Sequence, residues 1–113
     1  MSEFTTVNLT ADTTAGTLIL DAPGPKYKDI PLEVMVQAAG TFGSGTLAYL
    51  ISLDGGTNRT TVKDSTGTAY AATADDIITL SLPVNGAENN IKVYAKLTGS
   101  TTPDIDIIPV SNQ

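Results

Sequence analysis

Closely spaced carboxylates are the most evident candidates for chemistry in this sequence. Asp104 and Asp106 alternate with isoleucine in "DIDIIPV", so a strand there would carry both on one face. Ca²⁺ binds carboxylate oxygens, but it needs several ligands and only two are placed. The two aspartates would equally suit a solvated outer face, or an edge strand whose charges discourage pairing. We favour the structural interpretation and expect no metal site.

The residue types that nucleophilic catalysis needs are mostly missing. The chain has no histidine and no cysteine, which excludes triads built on histidine and removes the commonest metal ligands. Serine with lysine remains an alternative, but no spacing links them. A glycosidase carboxylate pair is also conceivable, although aromatic residues that stack on sugars are scarce. We expect a non-enzymatic protein without catalytic residues or cofactor, and a small hydrolase is the least favoured alternative.

The segment "SLDGGTN" partly matches the Asp-box hairpin, whose pattern is Ser-x-Asp-x-Gly-x-Thr-Trp. Ser52, Asp54 and Gly56 match this pattern, whereas Asn58 and Arg59 replace its Thr-Trp ending. The motif is a structural turn and names no activity. We therefore predict that Asp54 accepts hydrogen bonds from backbone amides of the turn.

The net charge of −6, with only six lysine and arginine residues, restricts the possible partners. Nucleic-acid binding needs a basic stripe that replaces phosphate counterions, and binding to an anionic membrane surface also needs basic residues. No apolar run is long enough to span a bilayer, and the N-terminus lacks the pattern of a secretory signal. We expect neither nucleic acid nor a membrane as a partner.

Composition and turn spacing predict an all-β fold. The 18 threonines favour strands, and the ten glycines and six prolines favour turns. The alternation of Ile91, Val93, Ala95 and Leu97 is the clearest sign of a strand with one buried face. Eight strands are predicted, at residues 5–10, 17–20, 31–38, 46–53, 58–63, 76–83, 90–97 and 104–110.

Short strands with turns about every ten residues are typical of a β-sandwich or barrel. We predict a single domain over residues 1–113, an antiparallel β-sandwich with a jelly-roll-like pair of sheets. Residues 1–16 would form an N-terminal arm or an edge strand. An immunoglobulin-like sandwich is the alternative, although its usual cysteine and tryptophan residues are missing. Residues 68–76 stay open between a loop and a helical turn.

Residues 38–84, followed by residues 90–107, resemble small virion proteins of tailed bacteriophages. The shared outline begins with a glycine-rich turn and a strand ending in Ser-x-Asp-Gly-Gly-Thr. A short polar strand and a leucine-rich strand follow, and then a further strand and a segment similar to "LTGSTTPDIDI". Such proteins are often β-sandwiches that form trimers and decorate or cement the capsid.

This resemblance implies a capsid decoration protein that is made in the host cytoplasm and is part of the virion. It would bind the major capsid protein on the outer surface of the head and stabilise the head, as a homotrimer. A carbohydrate- or receptor-binding module of a phage tail or head fibre is the alternative function.

A tyrosine between two lysines is the candidate contact with such a partner. It lies in residues 11–31, an irregular stretch whose three prolines cannot donate to a strand ladder. We predict that residues 22–29 form a subunit or capsid contact through Lys26, Tyr27 and Lys28. An ordinary surface loop is an almost equally good interpretation of this segment.

Overall fold

Eight β-strands make up the part of the chain that the computed structural model describes, which is residues 6–13, 15–22, 32–82 and 91–111. The all-β prediction is confirmed, and each strand overlaps the segment predicted for it. The strands are β1 Val7–Leu9, β2 Thr17–Ala22, β3 Leu32–Thr41, β4 Thr46–Ser52, β5 Thr60–Thr61, β6 Asp76–Leu82, β7 Ile91–Thr98 and β8 Asp104–Ser111.

The order of the strands is that of a jelly roll. Sheet I has the order β1-β8-β3-β6 and sheet II has the order β2-β7-β4-β5. The chain folds back on itself as one long hairpin, with the antiparallel pairs β1–β8, β2–β7, β3–β6 and β4–β5. These pairs belong alternately to sheet I and sheet II. The pairs β3–β8 and β4–β7 then complete each sheet. The predicted jelly-roll-like sandwich is therefore confirmed.

Apolar side chains from both sheets fill the space between them. Val93, Ala95 and Leu97 of β7 are fully buried, as their alternation predicted. Ile105 and Ile107 of β8 belong to the same core and contribute from sheet I. Burial of a valine, leucine or isoleucine side chain contributes about 1.5–3 kcal/mol, so this alternating layer holds the two sheets together.

Two strands differ in length from the prediction. β3 continues to Thr41 because Gly40 adopts a φ of 141° and still pairs with Ile105 of β8. β5 is only two residues long, because the hydrogen bonds of the preceding turn extend as far as Asn58. The glycine-rich stretch after residue 38 is therefore partly strand, and the polar strand predicted at 58–63 is strand only at Thr60–Thr61, with a single bridge from Lys63 to Ala69.

The segment between β5 and β6 turns at residues 64–68 and contains no helical residue, so the helical alternative for residues 68–76 is wrong. The backbones of Leu47 and Ala72 exchange two hydrogen bonds of 2.8 Å. Tyr70 lies on this segment and stacks on the buried Tyr49, with ring centroids 5.6 Å apart. Across the described ranges, the structure has no helix that is long and apolar enough to cross a bilayer.

The N-terminal segment is attached to both sheets. β1, which lies within residues 1–16, is an edge strand of sheet I. After it, the Asp12 carboxylate accepts the backbone N–H groups of Gly99 and Ser100, each at 3.1 Å. Hydrogen bonds from the side chain and then the backbone of Ser100 lower the pKa of Asp12. The charged form of Asp12 therefore ties this segment to the turn between β7 and β8.

The hydroxyl of Tyr49 is buried in the core with no hydrogen-bond partner among the described residues. The neighbouring Tyr70 differs, because its hydroxyl donates to the Asp76 carboxylate. Burial raises the pKa of Tyr49 above its ordinary value of 10.0, and the charge of Asp76 adds to this effect. A buried polar group without a partner costs about 1–3 kcal/mol of stability.

We expect Tyr49→Phe to stabilise the protein by about 1 kcal/mol in urea unfolding at neutral pH, because it removes that cost while keeping the ring. Tyr70→Phe is the control and should be destabilising, since it breaks the bond to Asp76. The pKa of Tyr49 is higher in the folded state, so above pH 10.0 the unfolded state loses this proton first. Ionisation of Tyr49 therefore lowers the free energy of unfolding only at alkaline pH. Tyr49→Phe should therefore also reduce the loss of stability at alkaline pH, and a clear destabilisation at neutral pH would contradict the assignment.

Candidate docking surfaces

The outer face of sheet I carries apolar side chains that are exposed to solvent. Met35, Ile77 and Val110 are 51, 52 and 51% exposed. The strand register places them in two neighbouring rows across β6, β3 and β8, which consist of Thr79, Met35 and Val110, then Ile77, Gln37 and Ile108. Contiguous exposed apolar side chains mark surfaces that contact other molecules.

Two carboxylates border these rows on β8. Asp106 precedes Ile108 by two positions and so shares its face, and Asp104 continues the same line. The side-chain amide nitrogen of Asn8 on β1 donates to both, at 2.8 Å to Asp104 Oδ1 and 2.9 Å to Asp106 Oδ1. We call the two apolar rows with Asn8, Asp104 and Asp106 the acidic–apolar face.

The position of β8 decides between the interpretations of the aspartate pair. β8 lies between β1 and β3, so the interpretation of Asp104 and Asp106 as part of an edge strand is wrong. Both aspartates are exposed, which agrees with the interpretation as a solvated outer face. In the ranges that the structure describes, no group of three or more His, Cys, Asp or Glu side chains is placed to hold a metal ion. The atom that bridges the two carboxylates is the amide nitrogen of Asn8.

The outer face of sheet II has a different character. Leu18, Tyr94 and Leu50 form a row across β2, β7 and β4. The Arg59 guanidinium lies 3.8 Å from the centre of the Tyr94 ring, and Arg59 also donates to the carbonyl of Ala15 at 2.6 Å. Tyr94 lies on the outer face of β7, but it is only 6% exposed. Its ring is therefore engaged within the protein and is not a free aromatic platform.

Charge is divided between the two sheets. The strands of sheet I contain acidic residues and no lysine or arginine in the described part of the chain. Lys92 and Lys96 lie on β7 of sheet II, while Arg59 and Lys63 flank β5 of the same sheet. The acidic–apolar face is consequently negative, although Met35, Ile77 and Val110 are exposed on it.

The hairpin after β4 is the turn that the partial Asp-box match predicted. Asp54 Oδ1 accepts the backbone N–H of Asn58 at 2.9 Å and the hydroxyl of Ser52 at 2.7 Å. These bonds lower the pKa of Asp54 to about 2, with the backbone N–H of Asn58 as the largest cause. Ser52 lies opposite Lys92, but its hydroxyl is bonded to Asp54 and the residue is 1% exposed. This serine therefore builds the turn and is not positioned as a nucleophile.

A cleft of about 550 Å³ opens beside β5, between sheet II and β6 of sheet I. Its walls are mainly aliphatic and threonine side chains, with Asp54, Asn58 and Lys63 as the longer polar groups. No aromatic side chain lines it within the described residues. The described residues that line it are Ile51, Leu53, Asp54, Asn58, Thr60, Thr61, Val62, Lys63 and Ser81.

The predicted contact residues Lys26, Tyr27 and Lys28 lie outside the described residues, in the connection from β2 to β3. Ala22 pairs with Ile91, and Ser52 pairs with Lys92, so β2 and β4 end on either side of the start of β7. The connection therefore begins at the same end of the sandwich as the Asp54 turn. The role of the three residues stays a prediction.

Sequence reasoning missed the acidic–apolar face because its members come from four strands. Met35, Ile77 and Val110 are far apart along the chain, and Asn8 is 96 residues from Asp104. The available signal was the outward position of each residue in its own alternating strand, together with the jelly-roll pairing of the first strand with the last.

Comparison of this chain with protein-family models, with curated proteins and with solved structures gives no match.

Proposed function

We propose that this chain is a non-enzymatic capsid decoration or cement protein of a tailed bacteriophage. It would be made in the host cytoplasm, bind the major capsid protein on the outer surface of the head as a homotrimer, and stabilise the particle. The observation that carries the proposal is the acidic–apolar face, where Met35, Ile77 and Val110 are half exposed on the outer side of sheet I. The resemblance to phage virion proteins supplies the identity of the partner.

The chemistry of the chain agrees with a role in binding. A decoration protein needs no catalytic groups, and the sequence has neither histidine nor cysteine. The serine nearest to a lysine in the register, Ser52, is buried and hydrogen-bonded within a turn. Attachment at many equivalent positions of a lattice would let individually weak contacts hold, because linked contacts bind with avidity.

Co-sedimentation with capsids tests the proposal. Purified protein is added in increasing amounts to capsids of its own phage that lack it, and the bound fraction is measured after pelleting. We expect saturable binding at a fixed ratio to the major capsid protein, and capsids that unfold at a higher temperature once saturated. Protein that stays in the supernatant at every concentration would refute the proposal.

The segment between β2 and β3 gives a more specific prediction. Replacing Lys26, Tyr27 and Lys28 together with alanine should raise the capsid dissociation constant by about tenfold or more, since tyrosine is among the residues that contribute most to contact energies and the two lysines add charge. The control variant Lys63→Ala/Lys96→Ala removes the same two charges elsewhere. Both variants should unfold at the parent temperature, and equal capsid binding by the triple variant and the parent would show that the segment is an ordinary loop.

The cleft beside β5 favours a second candidate, the carbohydrate- or receptor-binding module. Its volume suits a small ligand, and Asp54, Asn58 and Lys63 offer hydrogen-bonding groups. Its described lining lacks the aromatic side chains on which sugars usually stack, so we place it second. A glycan array with a specific signal that Lys63→Ala abolishes, together with no capsid binding, would favour this function over the first.

A further inference from the structure

The acidic–apolar face has an apolar half and an acidic half, which would bind different groups of a partner. Met35 and Val110 stand in the apolar half, where burial against another apolar surface is favourable. Asp104 and Asp106 stand in the other half, and Asn8 holds one oxygen of each in place. Ile108 and Asp106 are two positions apart on β8, which is about 7 Å along the strand. The change from apolar to acidic is therefore abrupt.

We propose that this face docks onto a protein surface that presents an apolar strip bordered by lysine or arginine. The inference rests on the proposed function, under which that surface belongs to the major capsid protein. Carboxylates that are fixed in advance lose little conformational freedom when they meet a cation, so the Asn8 bridge favours docking. Charge complementarity would set the orientation of the partner and accelerate binding, because opposite potentials steer association.

A second copy of this chain is a poorer occupant of the face. Packing two acidic–apolar faces against each other would bring Asp104 and Asp106 of both copies together, which is unfavourable. Packing this face onto the basic outer side of sheet II of another copy joins opposite sides of the sandwich, and repetition of that contact builds an open stack. A different surface with basic groups avoids both problems.

The size of the face fits a contact that is repeated on a lattice. The strands of sheet I have three, eight, ten and seven residues, which at about 3.3 Å per residue and about 4.8 Å between strands gives about 450 Å² per partner. The total buried area would then be about 900 Å², which is in the range of weak contacts. One such contact is weak, and several linked copies would hold firmly.

The test compares two pairs of variants in capsid co-sedimentation at increasing concentrations of NaCl. Asp104→Asn/Asp106→Asn removes the charges from the face, and Asp12→Asn/Asp64→Asn removes the same number of charges from positions outside both the face and the cleft. We expect the first pair to raise the capsid dissociation constant by about tenfold and to flatten its dependence on salt. The second pair should bind within about twofold of the parent and keep the parental salt dependence.

A third variant separates the two halves of the face. Met35→Ser/Ile77→Ser should also weaken capsid binding by about tenfold, but with the parental salt dependence, because it removes apolar contact and leaves the carboxylates. Thermal unfolding of every variant serves as the check on folding.

The outcomes distinguish this inference from the proposed function. A parent protein that does not bind capsids refutes the proposed function, and the inference is refuted with it. A parent that binds while Asp104→Asn/Asp106→Asn binds equally well refutes the inference alone. Sedimentation of the free protein decides the remaining alternative, because a smaller assembly for the Asp104→Asn/Asp106→Asn variant would assign the face to contacts between copies and overturn the inference.

Discussion

Gly43→Ala is expected to destabilise the protein by about 3 kcal/mol or more. Gly43 has a φ of 59°, which costs other residues about 1–2 kcal/mol. A Cβ at this position would also overlap the backbone carbonyl of Thr101, and an overlap of this kind costs about a further 1–3 kcal/mol. The overlap would disturb the 2.8 Å hydrogen bond from the Thr101 N–H to the Gly43 carbonyl. That bond joins the β3–β4 turn to the β7–β8 turn.

Gly99→Ala is the matched control for this substitution. Gly99 has a similar φ of 70°, but no atom lies within 4 Å of the position that its Cβ would take. It should therefore lose only the conformational cost, about 1–2 kcal/mol. Urea unfolding of both variants measures the difference. Equal losses would show that the close approach of the two turns contributes nothing.

Ile107→Ala is expected to cost about 2–5 kcal/mol, a large part of the total stability of a domain of this size. Ile107 is fully buried and lies on β8 between Val7 and Ala38, so a cavity there would weaken the interior of sheet I. Val110→Ala on the outer face of the same strand is the control. Val110 is 51% exposed, and its truncation should change stability by less than about 0.5 kcal/mol.

Chemical unfolding of these two variants separates the inner face of β8 from its outer face. If Val110→Ala destabilises as strongly as Ile107→Ala, then the outer face of sheet I is packed against something and is not available for docking. If only Ile107→Ala destabilises, the two faces of the strand have the different roles that we assign to them.

The positions of the strands could be predicted from the sequence because alternation and turn residues are local signals. The alternating residues from Ile91 to Leu97 needed no tertiary information, and they are buried as expected. Gly40 misled the prediction, since a glycine in a turn-like stretch can also continue a strand at a φ that other residues avoid. The partial Asp-box match predicted the Asp54 turn but not the residue at which the turn ends. The start of β5 depends on the hydrogen bonds of that turn, so the length of β5 could not be predicted.

The candidate surfaces were harder to predict because they combine residues distant in sequence. Asp104 and Asp106 were recognised as a pair, but the contribution of Asn8 depends on the pairing of β1 with β8. The burial of Tyr94 depends on Arg59, which reaches it from the turn before β5. Strand alternation gives the direction of each side chain, whereas neighbours across a sheet follow only from the topology.

Single-particle imaging of capsids saturated with the protein is the most direct test of a capsid decoration role. We expect additional ordered density at symmetry-related positions on the outer surface of the head, into which the eight-stranded jelly roll fits with the acidic–apolar face toward the major capsid protein. Capsids whose maps are identical with and without the protein would contradict it.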